Sequence, residues 1–270
     1  MSTDKDGFTR ALEVMARLRA PDGCPWDREQ DHNTLKPYLI EEAYEVIEAI
    51  DSGNLEKLRE ELGDLLLQVI FHCQLAKERG DFDAFGVAGE LADKMIERHP
   101  HVFGDDMADT TGEVLRNWEV SKRKVRTDKG ESNGVPSILD GVPAAMPALQ
   151  RSERLQNKAA RVGFDWPDAG GAAKKIDEEW DELKAAVEGG DQAAIAAEMG
   201  DFLFAAVNYS RKLGINAESS ARSSVDRFIS RFHRMESELR ARGLSPEDVP
   251  LEELDRLWNE TKIHGAQNLE

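Results

Sequence analysis

The chain has 270 residues, a formal net charge of −18 and 40% hydrophobic residues. This length suffices for two ordinary domains, and the hydrophobic content is too high for a disordered chain. The negative charge argues against nonspecific binding to nucleic acid or to an anionic membrane, because both need a basic surface. Two cysteines cannot build a disulfide framework, and neither a signal peptide nor a membrane span is predicted. We therefore expect a cytoplasmic protein.

Helical periodicity dominates the chain, and no alternating strand pattern is present. The first half is predicted to contain helices at 7–19, 37–50, 55–79, 86–98 and 112–126. The second half is predicted to contain helices at 147–160, 171–188, 192–213, 217–242 and 250–263. The glycine- and proline-rich residues between them indicate a linker. The expected class is all-α, with an N-terminal domain over 1–126, a linker over 127–147 and a C-terminal domain over 148–270.

One acidic pattern occurs twice with the same internal spacing. The first copy consists of Glu41, Glu42, Glu45, Glu61 and Asp64, and the second of Glu178, Glu179, Glu182, Glu198 and Asp201. Each member of the second copy follows its counterpart by 137 residues. Trp118 and Lys122 recur in the same way as Trp258 and Lys262, at a slightly different offset. These repeats indicate that a helical unit has been duplicated.

The spacing of the acidic residues predicts a paired arrangement on two helices. Residues three apart share a helix face, and turn signals at Gly53 and Gly190 predict a hairpin in each half. In such a hairpin, Glu179 lies level with Asp201, and Glu182 lies level with Glu198. The same symmetry holds for the first copy. Apolar residues form a stripe beside the carboxylates, so the carboxylates are expected to flank a packed seam within reach of water.

Carboxylate oxygens without a histidine favour magnesium, with manganese as a possible substitute, over iron, zinc or copper. The predicted ligands in the C-terminal half are Glu179, Glu182, Glu198 and Asp201. A possible second site in the N-terminal half consists of Glu42, Glu45, Glu61 and Asp64. Because each hairpin carries one apolar stripe, two copies of the chain can complete four-helix cores, which predicts a homodimer.

Basic and aromatic residues near the C-terminus are further candidates. Arg227 and Arg231 are four apart, so they share a helix face and can clamp phosphates, although a solvated basic edge has the same pattern. Trp258 can stack on a nucleobase or pack in the core. Lys262, which continues the repeat, joins them as a candidate substrate contact.

Several short segments together resemble the MazG family of nucleoside triphosphate pyrophosphohydrolases in its two-domain form. They are Gly23-Cys24-Pro25-Trp26-Asp27, Glu61-Leu62-Gly63-Asp64-Leu65-Leu66, Arg98-His99-Pro100-His101-Val102-Phe103, Val162-Gly163-Phe164-Asp165-Trp166 and Glu198-Met199-Gly200-Asp201. The resemblance covers nearly the whole chain. It implies an all-α NTP pyrophosphatase fold, a homodimer, magnesium dependence, and hydrolysis of nucleoside triphosphates to the monophosphate and pyrophosphate.

The resemblance also implies that the C-terminal copy carries the activity. Glu179, Glu182, Glu198 and Asp201 match the family's magnesium ligands. Glu178, the segment from Arg227 to Arg231, and Trp258 match its nucleotide contacts, although Arg227 and Ser230 depart from the residues more usual there. The general base is expected among the carboxylates, with Glu178, Glu179 and Glu182 as catalytic candidates.

Two other functions are compatible with the same residues. One is a noncatalytic acidic helical dimer that binds a regulatory partner protein. The other is a narrow dUTP or dCTP pyrophosphatase on the same hairpin. The sequence does not distinguish base or sugar preference, and we expect a substrate panel with magnesium to separate these functions.

Overall fold

The architecture is that of a computed structural model, which describes residues 7–104, 110, 112, 114 and 137–266. These residues form helices and turns and contain no strand. Trp118, Lys122 and most of the predicted helix at 112–126 lie outside the described residues. The chain divides between Asn133 and Gly134, inside the predicted linker, into two compact units. No helix in the described ranges is both long and apolar enough to cross a membrane.

The N-terminal unit is built around a helical hairpin. Its helices are α1 (Gly7–Leu18), α2 (Pro25–Glu29), α3 (Lys36–Ser52), α4 (Leu55–Arg79), α5 (Ala84–Arg98) and α6 (Pro100–Phe103). Helices α3 and α4 pack along each other, and α1 and α5 pack against α4. A buried apolar cluster joins α1 to α4 and consists of Met15, Leu35, Ile70, Phe71 and Leu75. This cluster packs α1 and the residue that precedes α3 against α4.

The C-terminal unit repeats the hairpin with two helices of 21 residues each, where the N-terminal hairpin has helices of 17 and 25 residues. Its helices are α7 (Ala148–Ala160), α8 (Ala169–Gly189), α9 (Gln192–Lys212), α10 (Ala217–Ala241) and α11 (Leu251–Ala266), with a short 3-10 turn at Pro246–Asp248. Helix α9 packs against α8 and α7, and α10 packs against α11. A second buried cluster, Met235, Leu239 and Leu257, lies between α10 and α11.

Most predicted helices are confirmed, and the short ones were missed. Helices α2 and α6 have five and four residues, so they are too short to produce an apolar period. Each has proline in its first turn, where the missing N–H costs nothing. The described end of the predicted linker also folds onto the C-terminal unit. There the buried Lys158 donates to the carbonyls of Ile138 and Asp140, at 2.9 and 3.0 Å.

The two hairpins turn by the same local chemistry. Gly53 and Gly190 end α3 and α8 with positive φ angles of 68° and 74°, a conformation that side chains with a Cβ rarely adopt. Asn54 then caps α4 by accepting from the backbone N–H groups of Glu56 and Lys57. Asp191 caps α9 by accepting from the N–H of Ala193. This turn fixes the register of the helices that carry the carboxylates.

The apolar stripe predicted on the hairpins is only partly buried within one chain. Leu62 on α4 is 49% exposed, and Trp180 on α8 is 48% exposed. By contrast, Leu183 is buried, and Trp180 contacts the ring of Phe202 with centroids 5.6 Å apart. The buried face of α4 instead includes Ile70 and other residues of the apolar cluster. Each hairpin therefore keeps an apolar face that its own unit does not cover.

Two adjacent glycines at the C-terminal turn provide a matched test of this register. Replacement Gly190→Ala should lower the free energy of unfolding by about 1 kcal/mol, because alanine is strained at positive φ. Replacement Gly189→Ala should be neutral or slightly stabilising, since Gly189 is helical and an added Cβ would meet open space. Urea unfolding of both variants measures the difference. Equal effects would contradict a conformational role for Gly190.

Candidate metal and nucleotide site

Three glutamates converge in each hairpin. In the C-terminal unit, one carboxylate oxygen from each of Glu179, Glu182 and Glu198 lies within 4.8 Å of the others. The N-terminal unit brings Glu42, Glu45 and Glu61 together in the same way. The spacing of three residues on one helix and the hairpin register explain this convergence. These are the groups of possible metal ligands found among the described residues, and neither contains histidine or cysteine.

The fourth predicted ligand of each copy stands slightly apart. Asp64 and Asp201 do not join the two groups of three, although both lie on the expected helices. The charge of Asp64 nevertheless acts on Glu42, whose pKa is raised first by desolvation and then by Asp64 and Glu45. Asp64 therefore lies close to the N-terminal group, and Asp201 lies on α9 three residues after Glu198.

The carboxylates are less open to water than predicted. Glu61 is only 9% exposed and Glu179 only 6% exposed, whereas Glu182 and Glu178 are exposed. Desolvation, followed by the nearby charge of Glu45, raises the pKa of Glu61. Desolvation, followed by the charge of Glu179, raises the pKa of Glu182. Each group therefore has an inner, buried carboxylate, and crowding disfavours full ionisation unless a cation is present.

A lysine that the prediction missed lies at the C-terminal group. The Lys175 Nζ atom is 2.6 Å from Glu179 Oε1 and 2.8 Å from Glu178 Oε1. These bonds raise the pKa of Lys175 above its usual value. The sequence contained a signal for this contact, because Lys175 precedes Glu178 by three residues and Glu179 by four on one helix. At the repeat offset of 137, the N-terminal unit has Tyr38 instead.

The donor set fits magnesium. Hard divalent cations take carboxylate oxygens, whereas soft or borderline metals favour sulfur and imidazole ligands. The ammonium group of Lys175 already contacts the buried carboxylate of Glu179, which shows that this position attracts a cation. Glu179, Glu182 and Glu198 can therefore hold the metal, with Asp201 beside them.

The other candidate residues lie on the last two helices. Arg227 and Arg231 are on α10 and form no ion pair with described residues. Trp258 on α11 is half-buried and contacts the ring of Phe228, with centroids 5.1 Å apart, so it contributes to the core. Lys262 donates to Asn259 Oδ1 at 2.9 Å. Contacts between these four residues and the carboxylates are not seen among the described residues.

The histidines serve local structure. The Nδ1 atoms of His32 and His72 are 2.8 Å apart, which ties the loop before α3 to α4. His99 Nδ1 is 2.6 Å from the carbonyl oxygen of Met95, at the end of α5. Neither arrangement adds a ligand to the carboxylate groups.

Comparison with known proteins identifies the family of this chain. The family model described as "MazG nucleotide pyrophosphohydrolase domain" matches residues 30–103 and 172–235, which include both carboxylate groups. This chain belongs to the MazG family. A MazG nucleoside triphosphate pyrophosphohydrolase/pyrophosphatase of Thermotoga maritima is 44% identical over 255 residues, covering 94% of this chain and 95% of that protein.

Two further MazG relatives carry related names. The nucleoside triphosphate pyrophosphohydrolase of Escherichia coli K12 is 43% identical over 259 residues, covering 94% of this chain and 96% of that protein. A nucleoside triphosphate pyrophosphohydrolase of Mycobacterium tuberculosis is 36% identical over 156 residues, covering 57% of this chain and 45% of that protein. The first two similarities extend through both units, so the tandem arrangement is shared.

The position of Lys175 leads to a prediction about metal affinity. Replacement Lys175→Met should increase magnesium affinity several-fold in the absence of nucleotide, because a competing cation and its positive charge are removed. Lys174→Met is the matched control, since Lys174 is exposed and forms no ion pair within the described ranges. Isothermal titration calorimetry with magnesium measures both. Unchanged or weaker binding to the Lys175 variant would contradict competition.

Proposed function

We propose that this protein hydrolyses nucleoside triphosphates in the cytoplasm to the monophosphate and pyrophosphate, with magnesium at the C-terminal carboxylate group. The observation that carries the proposal is the convergence of Glu179, Glu182 and Glu198 within 4.8 Å. The charge of Lys175 at this group and membership of the MazG family support it. The matching relatives are named for the same reaction.

The carboxylates of the C-terminal unit have two roles in this proposal. Glu179, Glu182, Glu198 and Asp201 would hold magnesium, with manganese as a substitute. When bound, the metal neutralises phosphate oxygens and lowers the pKa of a coordinated water. The exposed carboxylates of Glu178 and Glu182 are accessible to solvent, which supports a role as acceptor of the proton from the attacking water.

Basic side chains provide the phosphate contacts. Arg227 and Arg231 lie one turn apart on α10 and have no competing ion pair within the described part of the chain. They would bind the phosphate oxygens that become pyrophosphate. Lys262 and Trp258 remain predicted substrate contacts. Water attacks the α-phosphorus and breaks its bond to the oxygen that bridges to the β-phosphorus. Pyrophosphate leaves with that oxygen, and a carboxylate accepts the proton from the attacking water.

The two repeated groups permit a matched test of which half is active. Replacement Glu179→Gln or Glu198→Gln should lower turnover about 100-fold or more, because an essential ligand is lost. Replacement Glu42→Gln or Glu61→Gln, the counterparts in the N-terminal unit, should leave turnover nearly unchanged. Pyrophosphate release from a panel of NTPs and dNTPs, with and without magnesium, measures this.

The same assay separates the remaining functions. Loss of turnover in the N-terminal variants, with turnover retained in the C-terminal variants, would assign the chemistry to the N-terminal unit. Release from dUTP or dCTP alone would indicate a narrow pyrophosphatase. No release from any member of the panel would contradict the proposed reaction. It would favour the alternative in which the acidic surfaces bind a regulatory partner protein.

We also propose that two copies of the chain pair through the apolar faces of their hairpins. Leu62 on α4 and Leu203 on α9 are 49% and 46% exposed, and exposed apolar faces of this kind are typical of interaction surfaces. A second hairpin laid against each would complete a four-helix core. The N-terminal and C-terminal units would both contribute to the dimer.

Light scattering at micromolar concentration tests this assembly. The expected mass is twice the chain mass of 30.2 kDa. The double replacement Leu62→Glu and Leu203→Glu should shift the protein towards the monomer, because charges enter an apolar interface. A control replacement, Leu251→Glu, places a charge at the exposed start of α11 and should retain the wild-type mass. A monomeric wild type would refute pairing.

A further inference from the structure

Two histidines of the N-terminal unit contact each other away from the carboxylate group. His32 lies in the loop before α3, and His72 lies in the second half of α4. Their Nδ1 atoms are 2.8 Å apart, and their rings are parallel to within 7°, with centroids 5.1 Å apart. Both residues are half-buried. The contact therefore joins the loop that leads into α3 directly to α4.

A contact of this length between two ring nitrogens contains one proton. One Nδ1–H group donates, and the other Nδ1 atom must be bare to accept, whichever ring supplies the proton. One positive charge on the pair is compatible with the contact, because an imidazolium ring still donates to a neutral ring. A second positive charge is not compatible, since two N–H groups and two like charges would face each other. The contact therefore breaks when the second ring is protonated.

The surroundings of His72 oppose that second charge. Burial, followed by the charge of His32, lowers the pKa of His72. Its neighbours on α4, Phe71 and Cys73, are both buried. Among the described residues, His32 is the one charged or titratable group that acts on His72. A positive charge on His72 is therefore not compensated by a carboxylate from this part of the chain.

Two further charged groups lie on the side of His32. The carboxylate of Asp31 accepts from the backbone N–H groups of Thr34 and Asn33 at 2.9 and 2.7 Å. These two bonds, with smaller contributions from Arg79 and His32, lower the pKa of Asp31. Asp31 is therefore ionised wherever histidine titrates, and arginine is protonated there as well. The histidines are the members of this cluster that change charge between about pH 5 and 8.

A charged tie and an apolar one hold the two ends of the same loop. Arg19 donates to the Gln30 carbonyl at 3.3 Å and to Glu78 on α4 at 2.8 Å. The hydrogen bond from Arg19 lowers the pKa of Glu78, so this ion pair persists in mild acid. At the other end, Leu35 is buried in the apolar cluster with α4. Loss of the histidine contact would therefore release residues 31–34 locally and leave the unit folded.

The C-terminal unit has the same turn without the histidines. At the repeat offset of 137, the aspartate of the turn recurs as Asp168, which also accepts from two backbone N–H groups. The two histidines are replaced by Ala169 and Tyr209, neither of which changes charge in the range where histidine titrates. The turn therefore forms without a histidine pair, and the proton-sensitive contact is a property of the N-terminal unit.

We propose that the pair of His32 and His72 is a pH-sensitive latch, which fastens the loop before α3 to α4 at neutral pH and releases it in mild acid. The open form takes up the second proton more readily than the closed form, so a fall in pH favours opening. The open population should rise up to about tenfold per pH unit below the usual histidine pKa, until the closed pair is protonated too. The loop leads into α3, which carries Glu42 and Glu45, so release acts on the N-terminal carboxylate group.

Hydrogen exchange followed by mass spectrometry tests the latch in the full-length protein. Between about pH 7.5 and 5.5, residues 30–36 should lose protection about tenfold relative to residues 167–173. The second segment is the repeat counterpart, so the ratio removes the pH dependence of chemical exchange itself. The double replacement His32→Phe and His72→Phe keeps two flat rings without a titrating nitrogen, and should make the ratio independent of pH. The control His233→Gln removes an exposed histidine on α10 and should respond like the wild type.

An NMR titration of the wild type tests the same contact without any variant. The two rings should take up protons in separate steps, the second below the ordinary histidine range. Circular dichroism verifies that each variant is folded, and this titration decides if the double variant is not. Three results would overturn the inference. They are a wild-type exchange ratio that does not change with pH, the same pH dependence in the folded double variant, and protonation of both rings in one step near pH ~6.5.

Discussion

Repulsion between carboxylates on facing helices is the constraint on which the rest of this protein depends. Each hairpin brings three glutamates within 4.8 Å, and one of the three is largely buried. Burial first, and then the like charges nearby, raises the pKa values of Glu42, Glu61 and Glu182. Such groups favour a bound proton or a neighbouring cation, and a capped, glycine-ended turn holds the facing helices in register.

The sequence predicted the helices and the acidic groups because both depend on local spacing. Period 3.6 identified α3, α4, α8 and α9, and the glycine turns gave the register that places Glu182 opposite Glu198. The family resemblance was confirmed by the match over both units. The short helix α2 was beyond this approach, because five residues are too few to show a period.

Features that depend on tertiary packing were not predicted. Burial of Glu179 follows from how α8 packs against α9, whereas the sequence placed Glu179 and Glu182 beside the packed seam within reach of water. A cavity of about 550 Å³ beside Phe204 is lined by α7, α9 and the loops on either side of α7, from residues up to 72 positions apart in sequence. Leu62 was predicted in a packed seam, but its partner surface is absent from its own unit. These properties depend on how the helices are placed relative to each other. The spacing of residues along one helix does not give that placement.

The ion pair between Lys175 and Glu179 has a consequence for metal exchange. If a metal binds this group as proposed, the ammonium group would return to the buried carboxylate when the metal leaves, so the helices would not be left with uncompensated charge. An ion held this way would leave and re-enter on the time scale of a side-chain rotation and not of helix opening. At the equivalent position the N-terminal unit has Tyr38, and the positive charge that acts on its buried Glu61 comes from Lys57, which pairs with Glu48 at 3.3 Å. If a metal binds that group, its departure would be compensated only by drawing Lys57 away from Glu48.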